Sequence, residues 1–463
     1  MYQQPKKERK KMEQKHSTKD VFKMSIPIFI ELLLQLLVGN IDQIMISRYS
    51  EASVAAIGNG NQIMNIVIIV LSVVSTASTI LISQYLGAQN KRKIAETCNV
   101  SLFVIAIFGL LAAFFIAIGH NTIFRWIKIP DDILKEAGYY LTIVGLFVVV
   151  QGIYMMFAAI LRSFGFMKQV MYVSAVMNLI NIAGNAILIN GLFGMPRLGI
   201  IGAAISTNIS KLIGLIIIYQ LFRRNMDIQL SPKILKPFPT QTLKDLLHIA
   251  IPSGGEELSY NLSQVYILKF INLFGTTVIA AKVYCSILAN VAYVYSIALS
   301  QATQIIVSYL VGAREFEKVQ KRVWTTLAYS MFISLGITAI LYFNADTVFR
   351  IFTSDPEIIA LGKKILFIEF FLEIGRTVNI VMTKCLLAVG DVIFPVIVGI
   401  IFMWFVAVLG GYYFGICLNM GLVGIWIAMT IDECARGILF VIRFRSGKWS
   451  TSMLKASKQA LLS

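Results

Sequence analysis

The amino-acid sequence predicts an all-α polytopic membrane protein whose twelve transmembrane helices form two pseudo-symmetric six-helix bundles. Three observations predict this fold: the composition, an internal repeat, and the distribution of lysine and arginine. Of the 463 residues, 57% are hydrophobic and 14% are charged, and the mean hydropathy is +0.76. Soluble domains average roughly 45–50% apolar and about 25% charged residues. The composition therefore indicates a membrane protein.

Twelve apolar stretches have the length of about 20 residues that a transmembrane helix needs. In the first half of the chain they cover residues 22–47, 54–86, 95–119, 135–160, 168–192 and 198–223. In the second half they cover residues 245–274, 278–311, 321–344, 357–386, 393–414 and 421–443. We therefore divide the chain into a basic tail (1–20), an N-terminal lobe (21–223), a linker (224–243), a C-terminal lobe (244–445) and a second tail (446–463).

The two halves repeat each other. The stretch 25–88 ends in SQYLGA and returns 225 residues later as 250–313, which ends in SYLVGA, so that Glu31 corresponds to Glu256. The same offset relates Gly165 to Gly390. One fixed offset over about 140 residues indicates a duplicated unit.

The positive charges predict the topology. With a cytoplasmic N-terminus, the cytoplasmic segments hold 27 Lys and Arg residues and the extracellular segments hold 8, as the positive-inside rule requires. Both termini are thus predicted to be cytoplasmic. Six helices per repeat make the repeats parallel, related by an axis along the membrane normal. The net charge of +17 then reflects topology and not nucleic-acid binding, because the charges lie between apolar spans.

The basic run at residues 6–11 has two interpretations: a surface that docks on anionic membrane lipids, or a tail that only sets the topology.

Helix 1 carries polar residues inside the predicted span. Glu31 and Asp42 are eleven residues apart, which places them on nearly the same helix face, and Gln35 lies on the same stripe. An ionised side chain at the bilayer centre costs at least roughly 2.5–3.5 kcal/mol, so each such residue needs a function or a partner. We interpret Asp42 as an H⁺ site, with a Na⁺ site as one alternative and a protonated structural aspartate as another.

Helix 5 carries Asn178, Asn181 and Asn185 on one face. Such a face is typical of helix packing, and beside an aspartate it would complete an ion site.

Helices 7 and 10 hold the remaining candidates for a substrate cavity. On helix 7 these are Glu256, Glu257, Asn261 and Gln264. Adjacent glutamates cannot share a helix face, so one of the pair is expected to point into the cavity. On helix 10, Glu373 and Arg376 line the same cavity or form an internal i, i+3 ion pair. A cavity with acidic walls would favour cationic amphiphiles as substrates.

Motifs of covalent chemistry and ATP hydrolysis are absent from the sequence. It contains no GxxxxGK[ST], HExxH or GxSxG. We therefore expect no cofactor, no metal other than a coupling ion, and no enzymatic activity. Transport would be driven by an ion gradient.

The chain resembles the MATE (multidrug and toxic compound extrusion) transporters, in particular the bacterial NorM and DinF-like members. The resemblance rests on stretches from both halves, namely VGNIDQIMISRYS (38–50), SQYLGAQNKRK (83–93), LRSFG (161–165), NIAGNAILINGLFGMPRLGIIGAAIST (181–207), FLEIGRTVN (371–379), VGD (389–391) and GLVGIWIAM (421–429).

This resemblance implies a fold and a function. The fold would be a V of two six-helix lobes. The activity would be alternating-access export of small organic cations and amphiphilic drugs, in antiport with H⁺ or Na⁺, by a monomer. The residues that match the family's ion-coupling positions are Asp42, Asn181, Asn185 and Thr207. In one branch of the family the Asn185 position is a second aspartate. Leu387 replaces an arginine that is frequent in the family.

Two other functions fit the chain less well. A flippase for lipid-linked oligosaccharides, from the same superfamily, would need a basic cavity for pyrophosphate, whereas the candidates on helices 1 and 7 are acidic. A membrane-bound enzyme would need a catalytic cluster of His, Cys or Asp, which the spacing of these residues does not provide.

Overall fold

The computed structural model describes residues 17–449, and within this range its regular elements are helices. The helices of the first half are α1 (Thr18–Ser47), α2 (Glu51–Gly87), α3 (Lys91–Trp126), α4 (Asp131–Leu146 followed by Val148–Ser163), α5 (Met167–Asn190) and α6 (Gly199–Asn225). Those of the second half are α7 (Thr240–Ile271), α8 (Thr276–Gly312), α9 (Phe316–Phe343), α10 (Pro356–Ala388), α11 (Ile393–Cys417) and α12 (Gly421–Arg445).

The all-helical fold class is confirmed. Within residues 17–449, eight helices are each long and apolar enough to cross a membrane, and the two parts of α4, bent by 44°, together make a ninth. The other three, α7, α10 and α12, are more polar because several acidic and basic side chains lie within them, among them Glu256, Arg376 and Arg436. Most of both predicted tails, residues 1–16 and 450–463, lies outside the described range.

Short polar turns end the long helices. Ser50 caps α2 by accepting a hydrogen bond from the Ser53 amide, and Asn90 caps α3 by accepting one from the Lys93 amide. Gly191 ends α5 with a φ of +73°, a conformation that costs glycine little. Connections of this kind hold successive helices antiparallel.

The chain forms two compact units whose boundaries fall inside helices. Unit 1 contains residues 30–250, and unit 2 contains residues 17–29 and 251–449 of the described range. The sequence had placed the division at the linker 224–243, between the sixth and seventh helices. The structure places it within α1 and α7, a few residues from Pro27 and Pro252.

The start of α1 is packed within unit 2. The Phe22 ring meets the Tyr329 ring edge-on at 5.1 Å between centroids, and the Phe29 ring meets Tyr295 in the same way at 5.2 Å. The hydroxyls of Ser25 and Tyr295 are hydrogen-bonded at 3.3 Å. These contacts explain why the first turns of α1 belong to unit 2.

The start of α7 is packed within unit 1. The Thr242 hydroxyl donates to Glu96 Oε2 at 3.2 Å, and the Tyr85 hydroxyl donates to Asp245 Oδ2 at 3.4 Å. The linker that precedes α7 is also fixed to unit 1. Asn99 donates from Nδ2 to the Gln229 carbonyl and accepts from the Ser231 amide, each at 3.0 Å.

Helices α10 and α12 approach each other closely at Gly375. A Cβ atom at this position would lie 2.5 Å from the Cys434 amide nitrogen and 2.6 Å from the Glu433 carbonyl carbon. Close backbone approach at small residues is typical of helix packing in membranes. Gly375 therefore sets the distance between these two helices.

We expect Gly375→Ala to destabilise the protein, because the added methyl group would force backbone apart, and overpacking typically costs about 1–3 kcal/mol. Gly336→Ala on α9 is the matched control, since a Cβ atom there would meet nothing within 4 Å and alanine favours a helix interior. Thermal unfolding of the two purified variants tests this expectation. Equal midpoints would contradict the close packing at Gly375.

Candidate functional site

Four residues predicted from the sequence meet in unit 1 around the Asp42 carboxylate. Asn185 donates from Nδ2 to Asp42 Oδ1 at 2.7 Å. The Asn181 amide lies 3.3 Å from Thr207 Oγ1. In the amide orientation that satisfies both neighbours, Asn181 donates to both Asp42 oxygens at 3.2 Å and accepts from Thr207. Helices α1, α5 and α6 thus converge on one carboxylate.

The local sequence explains this convergence. Asn181 and Asn185 are four residues apart and share a face of α5. A small buried apolar cluster of Ile46, Ile189 and Ala203 packs α1, α5 and α6 together. Each of its members lies one helical turn from a residue of the site. Ser206 adds a hydrogen bond from its hydroxyl to the Asn181 carbonyl at 2.9 Å.

The carboxylate of Asp42 has neutral partners. Among residues 17–449, no lysine, arginine or histidine forms an ion pair with it. The side chain is half-buried, and Tyr140 on α4, whose hydroxyl donates to Asn61 at 3.0 Å, lies within range of its charge. A carboxylate held only by neutral donors can gain or lose a proton without disrupting an ion pair.

Glu31 has a partner that sequence reasoning missed. Arg162 Nη2, at the end of α4, donates to Glu31 Oε1 at 2.6 Å and to Oε2 at 2.8 Å. Glu31 is buried, whereas Gln35, one turn further along α1, is exposed. The count of positive charges above had placed Arg162 among the 27 basic residues of the cytoplasmic segments. Its position within the LRSFG stretch, three residues before Gly165, was the available signal.

In unit 2, the carboxylates of α10 share one arginine. Arg376 pairs with Glu369 through Nη1 and with Glu373 Oε2 at 3.1 Å, and its guanidinium lies 4.9 Å from the centre of the Tyr293 ring. The Trp426 indole N–H of α12 donates to Glu369 Oε2 at 2.6 Å. The predicted pair of Glu373 and Arg376 therefore exists, and it is part of a larger buried cluster.

A second cluster of unit 2 lies on α12. Arg436 pairs with Asp432, with 3.1 Å between Nε and Oδ1, and with Glu433 Oε1 at 3.0 Å. Asn379 of α10 donates to Glu433 Oε2 at 2.6 Å. Asp432 and Arg436 thus form an i, i+4 ion pair, and Glu433 links this cluster of α12 to α10.

The polar residues of α7 do not converge. Glu256 is half-buried against α11, where a Cβ atom on Gly399 would lie 2.9 Å from its Oε1. Among the described residues, it forms no ion pair within 4.0 Å. Glu257 and Asn261 are exposed, and Asn261 donates to the Glu257 carbonyl of its own helix. Gln264 is half-buried.

Known proteins share this fold and sequence over nearly the whole chain. A family model described as MatE matches residues 27–187 and 252–413. The uncharacterized transporter YisQ of Bacillus subtilis is 37% identical over 435 residues, which cover 93% of this chain and 95% of the relative.

A probable multidrug resistance protein NorM of Thermotoga maritima is 26% identical over 436 residues, covering 93% of both chains. A crystal structure of a MATE protein in a bent conformation has a TM-score of 0.88, with 20% identity, and covers 98% of this chain and all of its own.

We expect Arg376→Met to destabilise unit 2. It would leave Glu369 and Glu373, whose side chains are 2% and 0% exposed, without a cation, and breaking a buried pair typically costs about 3–5 kcal/mol. Lys363→Met is the control, because its pair with Asp346 is 41% and 61% exposed and such pairs contribute about 0–1 kcal/mol. Thermal unfolding midpoints measure both. Similar midpoints for the two variants would contradict a structural role for Arg376.

Proposed function

This chain belongs to the MatE family of membrane transporters, and on that basis we propose that it exports organic cations and amphiphilic drugs in antiport with H⁺. Relatives over the full length include a probable multidrug resistance protein. The observation that carries the proposal is the Asp42 site, where an acidic side chain inside a spanning helix accepts hydrogen bonds from two neutral amides of α5, one of which is bonded to Thr207 of α6.

The donor set favours H⁺ over Na⁺ as the coupling ion. Na⁺ would need several oxygen ligands around the carboxylate. At Asp42 the Asn185 amide presents N–H to the carboxylate at 2.7 Å, and Thr207 favours the same orientation of Asn181. Neutral N–H donors stabilise an anionic carboxylate, and a proton can neutralise it without rearranging oxygen ligands.

Protonation would change how α1 is held. Hydrogen bonds to an ionised acceptor are roughly twice as strong as those between neutral groups. When Asp42 takes up a proton, its bonds to Asn181 and Asn185 weaken, and α1 is held less tightly to α5. The proton and the cationic substrate then favour different conformations of the transporter. Each shifts the equilibrium between these conformations by its difference in affinity for them, so that the two are exchanged across the membrane.

Glu256 is the residue we propose to attract the cationic substrate. The repeat relates Glu31 to Glu256 and Arg162 to Leu387, both at an offset of 225 residues. In unit 1 the arginine neutralises the glutamate, and in unit 2 a leucine occupies its position. Glu256 is thus acidic but lacks the ion pair that its equivalent, Glu31, forms with Arg162. We propose that a cationic substrate takes the place of the missing arginine.

The flippase alternative is not favoured. A pyrophosphate group would need a basic site, and the described polar clusters of unit 2 contain four carboxylates and two arginines.

We further propose a monomer in the bacterial plasma membrane with both termini cytoplasmic, which uses no cofactor. The distribution of 27 and 8 basic residues supports this topology.

Asp42→Asn is expected to abolish drug efflux driven by a pH gradient, because asparagine cannot exchange a proton. Ethidium efflux from proteoliposomes, with a pH gradient and a Na⁺ gradient imposed separately, measures this. Asp346→Asn, an exposed aspartate of unit 2, is the control for the loss of one carboxylate. Efflux by Asp42→Asn at the wild-type rate would exclude Asp42 as the coupling site, and efflux that follows only the Na⁺ gradient would exclude H⁺.

Glu256→Gln is expected to weaken binding of ethidium by about tenfold, or about 1.4 kcal/mol, because it removes the negative charge that we propose attracts the cation. Glu357→Gln, an exposed glutamate at the start of α10, should bind like the wild type. Equilibrium fluorescence anisotropy with purified protein gives both affinities. Unchanged affinity in Glu256→Gln would show that the cation binds elsewhere.

A further inference from the structure

Buried polar side chains of unit 1 form a row that connects Asp42 with the Glu31–Arg162 pair. On α5 the row consists of Ser174, Asn178, Asn181 and Asn185. These residues lie at i, i+4, i+7 and i+11, so they share one helix face. Eleven residues of helix span roughly 16 Å, which is a large part of the thickness of a membrane core. We call this set, together with Tyr154 and Arg162 of α4, the polar row.

The row is in register with the polar stripe of α1. Glu31 and Asp42 are also eleven residues apart, and Asn185 contacts Asp42 at the far end of both stripes. At the near end, the Tyr154 hydroxyl lies beside the Ser174 hydroxyl and within range of the charges of Glu31 and Arg162. The ends of the row are therefore the proposed coupling carboxylate and the buried ion pair.

Several polar atoms of the row lack a full set of protein partners. Among residues 17–449, no hydrogen bond is made by the buried atoms Arg162 Nε, Asn178 Nδ2 and Asn185 Oδ1, and the hydroxyls of Tyr154 and Ser174 have no partner besides each other. Buried polar groups are almost always hydrogen-bonded, because an unmade bond costs roughly 1–3 kcal/mol. Tyr154, Ser174 and Asn185 are 5%, 1% and 1% exposed. Bulk water does not reach them, so internal water is the partner that fits.

Buried waters typically bridge about three polar groups that would otherwise be unsatisfied. These five atoms, three on α5 and two on α4, provide positions for such bridges along the row. They comprise two donors, one acceptor and two hydroxyls that can serve as either. A chain of waters with this mixture of partners can pass a proton along its hydrogen bonds.

We propose that the polar row holds a chain of internal waters that gives Asp42 its proton exchange route to the side of the α4–α5 turn. This rests on the proposed H⁺ coupling at Asp42. The proton leaves the Asp42 carboxyl group, which becomes the carboxylate, and passes from water to water towards Arg162. The titratable groups along the route are Tyr140 and Tyr154 on α4 and the Glu31–Arg162 ion pair. In the predicted topology the route ends at the cytoplasmic face.

Hydroxyl-radical footprinting tests the hydration of the row without relying on transport. Radicals generated from bound water by a short X-ray exposure modify the side chains beside that water. Tyr154 and Tyr140 are a matched pair, because they are 5% and 6% exposed, and the Tyr140 hydroxyl bonds to Asn61 outside the row whereas the Tyr154 hydroxyl lies within the row beside Ser174. We expect Tyr154 to be modified much faster than Tyr140. Equal rates would overturn the proposal.

Substitution of Asn178 tests whether the waters carry protons. Asn178→Leu has nearly the same size but cannot hold water, and we expect it to slow drug-coupled proton movement at least tenfold, a barrier higher by about 1.4 kcal/mol. Asn178→Ser, which keeps a hydrogen-bonding group, should restore most of the rate. Asn59→Leu on α2 is the control for replacing an asparagine by leucine outside the row, because the Asn59 amide donates to the Ala55 carbonyl of its own helix.

Proton movement is read with a pH-sensitive dye inside proteoliposomes, and equilibrium ethidium binding shows whether each variant stays folded. A wild-type rate in Asn178→Leu would overturn the route, and so would equal losses in the Leu and Ser variants. If the wild type moves no protons with its drug, the proposed H⁺ coupling and the route fail together. A fast rate at Tyr154 would then show a hydrated row without that function.

Discussion

The constraint on which this structure depends is the cost of placing charge where the surroundings are apolar. Each acidic group within the helices must be paired, hydrogen-bonded or neutralised. On α10 and α12 of unit 2, Arg376 and Arg436 pair with four carboxylates. Unit 1 pairs Glu31 with Arg162 and leaves Asp42 to the neutral amides of Asn181 and Asn185. Asp42 is therefore an acidic group whose charge can change without breaking an ion pair.

Much of the fold could be predicted from the sequence, because membrane spans are long and their apolar character is continuous. The repeat predicted two equivalent sets of six helices, and the ends of most helices lie within a few residues of the predicted ends. The meeting of Asp42, Asn181, Asn185 and Thr207 was expected from the family resemblance. The contact between Glu31 and Arg162 was not, because these residues are 131 positions apart and nothing local to either one reveals the other. The division inside α1 and α7 was equally hidden, since it depends on packing and not on composition.

The repeat shows how duplicated halves acquire different roles. Equivalent positions keep Glu31 and Glu256, yet a single difference, Arg162 against Leu387, leaves one glutamate paired and the other without an ion pair among the described residues. The two halves share the number and order of their helices, and they differ in the polar residues that these helices carry.

The exchange of helix starts between the units has a consequence for biogenesis. Residues 17–29 leave the ribosome before their partners Tyr295 and Tyr329, which follow some 270 to 310 residues later. The first turns of α1 must therefore wait in the membrane, or at its surface, until α8 and α9 have been inserted. Neither half of the gene encodes a complete unit, and the newly made chain reaches its final packing only after the second half has been synthesised.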